Sequence, residues 1–152
     1  MNLLNQVLHN RVLIIAGAAW FTAGILKVIV ELVINKEIHP SRVMGSGGMP
    51  SSHTSTVIAL AIATAYDRGL SSTMFAITVI LAIIVIHDAV GVRLETGKQA
   101  KVLNSMISNT DVFKDLDFEN KLKEYVGHTP LQALVGAIVG IIVALTLIKI
   151  LY

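Results

Sequence analysis

Two histidines of this 152-residue chain stand in matching settings, His53 in Pro50-Ser51-Ser52-His53 and His128 in Gly127-His128-Thr129-Pro130-Leu131-Gln132. Each sits beside hydroxyl residues where a polar stretch gives way to an apolar one, so each opens a helix. A helix start leaves free backbone N–H groups and a partial positive charge. Two such starts meeting on one side of a membrane would form an anion site with imidazoles attached, and phosphate is the anion that fits. One histidine at such a boundary is as readily an interfacial polar residue; two in matched settings favour chemistry. In phosphoryl transfer, negative charge spreads over three oxygens, so fixed cations and N–H donors supply most of the catalysis. One imidazole must be neutral to attack, and the other must carry a proton for the leaving oxygen.

The cations are at hand. Lys27 lies deep in the first apolar run, where a charge costs at least about 2.5 kcal/mol at mid-membrane. Glu31, one turn later, offers the plainer explanation of an i,i+4 ion pair. Arg42 is eight residues before Pro50, within loop reach of the second helix start, and its guanidinium could hold two phosphate oxygens. Ser51 or Ser52 can cap the helix that follows and lend a hydroxyl or N–H to an anion cradle. Asp88 ends the third apolar run beside His87, with Arg93, Glu95 and Lys98 after it. It could orient an imidazole or neutralise a lysine, or simply mark where the helix leaves the lipid. Arg93 and Lys98 join Lys27 and Arg42 as candidate phosphate ligands.

Other chemistries fit less well. Thr129 and Gln132 have capping-box spacing with Pro130 at the first helical position, so Gln132 has a complete structural role. A metal reading would draw on His39, His87, Asp88 and Glu95, but no H-E-x-x-H or comparable ligand spacing supports it. No cofactor is expected; a divalent cation arriving with an anionic substrate is the lesser alternative. The chain has no cysteine, which excludes disulfides, zinc thiolates and thiol nucleophiles. Ser51 and Ser52 lack the G-x-S-x-G setting of a serine nucleophile.

The elements that position these residues follow from composition. Hydrophobic residues make up 54% and charged residues 14%, with a mean hydropathy of +0.72, where soluble domains carry about a quarter charged residues. The expected fold is an all-α integral membrane bundle, a single membrane domain over 1–152. It has about four transmembrane helices, near 12–34, 51–66, 72–90 and 130–151, plus a polar or interfacial helical segment. The second span is short, about 16 residues or roughly 24 Å, which suits a helix packed inside a bundle. The first continues well past signal-peptide length and reads as a retained anchor.

Alternating helices put the site-bearing segments 35–50 and 91–129 on one face. That face carries Lys36, Arg42, Arg93, Lys98, Lys101, Lys114, Lys121 and Lys123; the other carries Arg11, Arg68 and Lys149. The positive-inside rule therefore places the histidines on the cytoplasmic side of a multi-pass cell-membrane protein. Gly45-Ser46-Gly47-Gly48 is a turn that lets backbone approach a ligand. After Asp88 the helix is expected to run on toward Asn104, while Phe118, Leu122, Tyr125 and Val126 predict an interfacial amphipathic helix. Gly136 and Gly140 permit close helix packing, within the chain or across a homo-oligomer.

These residues resemble the type 2 phosphatidic acid phosphatase superfamily, which includes lipid phosphate phosphatases and vanadium haloperoxidases. Pro50-Ser51-Ser52-His53 is similar to its P-S-G-H signature, with Ser52 replacing glycine. Gly127-His128 through Gly140 is similar to the H-x-x-x-D signature and its helix, and the whole chain looks like a small divergent branch. The resemblance implies His128 as nucleophile, His53 as general acid, and Lys27 and Arg42 as the first signature, at longer spacing. Gln132 stands at the aspartate position and Leu122 at the arginine position, so Asp88 and Arg93 would have to substitute from another helix, or the activity has changed. The superfamily reaction needs no metal.

The expected function is a membrane-embedded phosphatase that hydrolyses a phosphate monoester or diphosphate on a lipid. Its partners would be the bilayer and a phosphorylated membrane lipid, not nucleic acid. One alternative is a catalytically altered protein that binds anionic lipid, favoured by the missing aspartate and arginine. The other is a small lipid or ion transporter using Lys27, Glu31 and Asp88 as path residues.

Overall fold

A computed structural model describes residues 2–36, 48–109, 122–124 and 126–152. The helices are α1 (Leu3–Leu8), α2 (Arg11–Asn35), α3 (Ser52–Arg68), α4 (Thr73–Val90), α5 (Val92–Asn109) and α6 (Pro130–Leu151). Their starts are written in short polar side chains. Asn10 caps α2, Ser51 caps α3, Ser72 caps α4 and Thr129 caps α6, each accepting a backbone N–H three residues on. The six-residue α1 is too short to carry a hydrophobic period and was not foreseen from the sequence.

Helix α3 is the axis, packed against α2, α4 and α6. Its buried positions are Ser52, Thr54, Ser55, Val57, Ala59, Ala61, Ala63 and Thr64, all small or hydroxyl-bearing except Val57. Small side chains let the neighbouring backbones close in, and Ser55 Oγ donates to the Ala19 carbonyl of α2 at 3.1 Å. Gly136 and Gly140 face α3 from α6; a Cβ on either would strike the carbonyl of Ser51 or Ser55. The small-residue spacing therefore serves α3–α6 packing inside the chain. Ile15, Ala19, Ala59, Ala63, Ala144 and Ile148 complete the core.

Among the described residues three helical stretches are long and apolar enough to cross a membrane: Arg11–Ile34, Thr73–Ser108 and Pro130–Leu151. The 17-residue α3 is not among them, being short of the roughly 20 residues a span needs; it is also less apolar and packs against α2, α4 and α6. Helix directions alternate. At one end the Arg11 guanidinium lies 4.6 Å over the Tyr152 ring, and Tyr152 Oη donates to Asp67 at 2.8 Å, which gathers the start of α2 with the ends of α3 and α6. At the other end Ser51 N–H donates to Gln132 O at 3.1 Å and His128 N–H to Ala89 O at 2.9 Å.

Helix α5 follows α4 across Gly91 and carries the strap that leads to His128. Buried Asn104 donates through Nδ2 to Leu122 O and to Glu124 Oε1, both at 2.9 Å, and accepts Leu122 N–H at 3.0 Å. Gly97 lies against the Glu124 carbonyl, and Gly127 against the backbone of Leu94. This corrects the expected amphipathic helix. Leu122, Lys123, Glu124 and Val126 are not helical, since Asn104 occupies both backbone groups of Leu122; Phe118 and Tyr125 lie outside the described residues. Asn104→Ala leaves those groups unpaired, and a loss of about 2 kcal/mol is expected. Hydrogen exchange should accelerate in 122–128 before α3; protection unchanged there would disprove the clamp.

Candidate functional site

The two histidines face each other. His53 lies in the first turn of α3 and His128 two residues before α6, with ring centres 6.1 Å apart and planes inclined at 59°. Both are fixed by the helix starts that carry them. Ser51, fully buried, caps α3 through Oγ and ties the same turn to α6 through its N–H. His128 is anchored by its own N–H on Ala89 of α4, and Gly127 allows the strap to lie directly on the α5 backbone.

Cations surround the pair. Lys27 is only 2% exposed, and its aliphatic stem packs on Gly48, whose φ of +84° is a glycine conformation. A Cβ there would sit 3.2 Å from Lys27 Cγ, so that glycine both turns the chain and makes room for the lysine. The Lys27 charge acts on both imidazoles, and Arg93 and Asp88 act on His53. Arg93 Nε donates to Asp88 Oδ2 across the α4–α5 junction, in a half-exposed pair.

Thus residues from α2, α3, α4, α5 and the lead into α6 converge. Ser51 and Ser52 are buried at the same helix start, with Ser51 Oγ accepting from both the N–H and the hydroxyl of Thr54. Lys98 is instead ion-paired with Glu95 at 2.7 Å on the exposed side of α5. His87 is exposed at the end of α4. Arg42 and His39, with Gly45, Ser46 and Gly47 of the predicted turn, lie outside the described residues. Among the described residues no three of His, Asp or Glu meet as a metal set.

His128 is 2% exposed, and its Nδ1 has no hydrogen-bond partner among the described residues. An unpaired buried polar atom costs about 1–3 kcal/mol, and such atoms in native folds mark functional sites often enough to demand a reason. Burial first, then the Lys27 charge and then His53, hold the His128 imidazole below the usual histidine range, with the Gln132 side chain and Gly48 backbone opposing. Gln132 is engaged in the capping box: Oε1 accepts Thr129 N–H at 3.0 Å and its N–H reaches Thr129 Oγ1 at 3.3 Å. Asp88 is held by Arg93. Neither supplies a carboxylate to Nδ1.

Sequence reasoning missed Asn104 and Gly97 as residues that set this geometry; Gly48 reads as part of a turn that admits close approach, but not as the seat of the Lys27 stem. Gly97 carried a weak signal, as a glycine inside a helical stretch; Asn104 carried none.

The arrangement suits an anionic tetrahedral group. The two rings, with centres 6.1 Å apart, are close enough for one bound group to touch both. Lys27 and Arg93 bring fixed positive charge to this pair, which favours an anion there.

Comparison with known proteins places the chain in a wider group. Residues 8–143 match the family described as "Divergent PAP2 family", a span that contains every described site residue. The "Uncharacterized membrane protein YuiD" of Bacillus subtilis (strain 168) is 36% identical over 152 aligned residues, which cover 93% of this chain and 96% of that protein. No solved structure matches the chain.

Proposed function

The chain belongs to the divergent PAP2 family, and on that premise we propose that it is a membrane-embedded phosphatase acting on a phosphorylated lipid. The observation that carries the reading is the facing His53–His128 pair, with His128 buried and its Nδ1 unpartnered. The His128 imidazole attacks phosphorus, the bond from phosphorus to the lipid oxygen breaks, and His53 gives that oxygen its proton. Water then attacks the phosphohistidine, with His53 returning as base. Lys27, Arg93 and Arg42 hold the non-bridging oxygens, helped by the α3 start at Ser51 and Ser52. Asp88 orients Arg93. Helix α3 counts as the fourth span, enclosed by the other three, and the histidine end faces the cytoplasm.

The test is phosphate release by the purified protein from phosphatidate, phosphatidylglycerophosphate and a polyprenyl phosphate, with and without chelator. Release that resists chelator is expected; release lost to chelator would replace the histidine mechanism with a metal-assisted one.

The acid limb of the pH profile gives a sharper check. The active form of His128 is neutral, present above its pKa and lost as pH falls through it, so a lowered pKa extends activity toward acid. The limb in kcat/KM is expected below about 6.5, the ordinary histidine value. Lys27→Met removes the cation that lowers it and should move the limb upward. A limb at or above the ordinary value, unmoved by that change, would exclude His128.

One observation favours a second reading, an altered protein that binds anionic lipid without turnover. The usual carboxylate is replaced by a Gln132 engaged in its helix cap. Phosphorylated lipid bound more weakly by Lys27→Met, with no phosphate released by the unmodified protein, would establish it.

A further inference from the structure

We propose that the end of the bundle opposite the histidines holds a bilayer phospholipid, its phosphate on Arg68 and Asn10 and one acyl chain in the cleft between α2 and α4. This proposal does not rest on the phosphatase reading. Helices α2 and α4 both pack along α3 and scarcely meet each other. Between them lies a cavity of about 480 Å³, walled by Leu13, Leu60 and Ile77 and rimmed by Asn10, Asp67 and Arg68. That volume falls within the roughly 300–1,000 Å³ of small-molecule sites.

Hydrogen-bond accounting at the rim specifies the ligand. Asp67 has a neighbour at both carboxylate oxygens, Oδ1 accepting from Tyr152 Oη and Oδ2 ion-paired with Arg68 Nε, both at 2.8 Å. It thereby orients the guanidinium and leaves its two terminal nitrogens for an outside acceptor; the Arg68 side chain is 68% exposed. Asn10 Oδ1 accepts Leu13 N–H at 3.1 Å, which leaves the amide nitrogen of that side chain as a donor. The Thr64 and Thr78 hydroxyls, also at this cavity, each donate to a carbonyl of their own helix at 2.8 Å. The rim thus presents donors and one cation above an apolar cleft. An amphiphile rich in acceptors is required, and a guanidinium fork matches two phosphate oxygens.

The experiment is native mass spectrometry of the full chain in detergent, titrated with dioleoylphosphatidylglycerol, dioleoylphosphatidylcholine or dioleoylglycerol. One retained phospholipid is expected, bound about tenfold more weakly by Arg68→Gln. Arg68→Lys should fall between, and dioleoylglycerol should bind poorly. Ile77→Trp, which fills the cleft from an exposed position, should lose the lipid while helicity is kept. His53→Ala and Lys27→Met should leave it bound, which separates this site from the histidine site. Retention of both phospholipids assigns recognition to the phosphate; retention of phosphatidylglycerol alone adds a requirement for net negative charge. Unchanged affinity in Arg68→Gln, or dioleoylglycerol bound as well as the phospholipids, overturns the proposal.

Discussion

Replacing His128 with alanine is expected to reduce phosphate release by about a thousandfold or more, the scale seen when a covalent nucleophile is removed. The fold should largely survive. The His128 side chain makes no bond through Nδ1, and its main-chain bond to Ala89 does not depend on the side chain. The gap left by the ring costs some stability, so His128→Asn, which fills more of it but cannot carry the phosphoryl group, is the companion variant. Acid-labile phosphohistidine should be trapped in the unmodified protein and absent from both. His53→Ala should differ in kind: its defect should be large with a lipid alkoxide leaving group and small with p-nitrophenyl phosphate, whose oxygen leaves without a proton. Turnover surviving in His128→Ala with helicity intact would end the nucleophile assignment, whatever His53 did.

The helix starts were legible because a cap is a local event. Thr129, Pro130 and Gln132 announce α6 within four residues, and the structure shows both halves of the capping box. Apolar runs located α2, α4 and α6 for the same reason: the lipid they face imposes one composition over a whole span. Helix α3 was harder, because its walls are other helices and its alanines, serines and threonines record their approach rather than the bilayer's thickness. The convergence of His53, His128, Lys27, Asp88 and Arg93 was anticipated only as a set of candidates, since their distances depend on how α2, α4 and α5 meet α3. Least legible was the strap. One asparagine at position 104 fixes Leu122 through bonds across 18 residues of chain, and no periodicity marks such a residue in advance. That is also why the amphipathic spacing of Leu122 and Val126 misled: a local pattern yielded to a non-local amide.

Gly136→Val is expected to destabilise the bundle strongly, by about 3 kcal/mol or more. Overpacking usually costs about 1–3 kcal/mol because side chains can shift aside. Here the obstacle is the carbonyl of Ser51, and backbone at a helix cap cannot swing away. Separating α6 from α3 would also strain the Ser51 N–H bond to Gln132 O and the cap that holds the first turn of α3, where His53 sits. Packing and chemistry should therefore fail together, even though position 136 touches no reacting group. Gly140→Ala, against the Ser55 carbonyl, should act in the same direction with a smaller side chain. Gly17 is the control: it too is a helical glycine, but a Cβ there meets nothing within 4 Å. Gly17→Ala should be neutral or stabilising by up to about 1 kcal/mol, through helix propensity alone. Unfolding of all three variants in one detergent tests the argument, because propensity predicts that alanine helps at both 17 and 140, whereas contact with the α3 backbone predicts opposite signs.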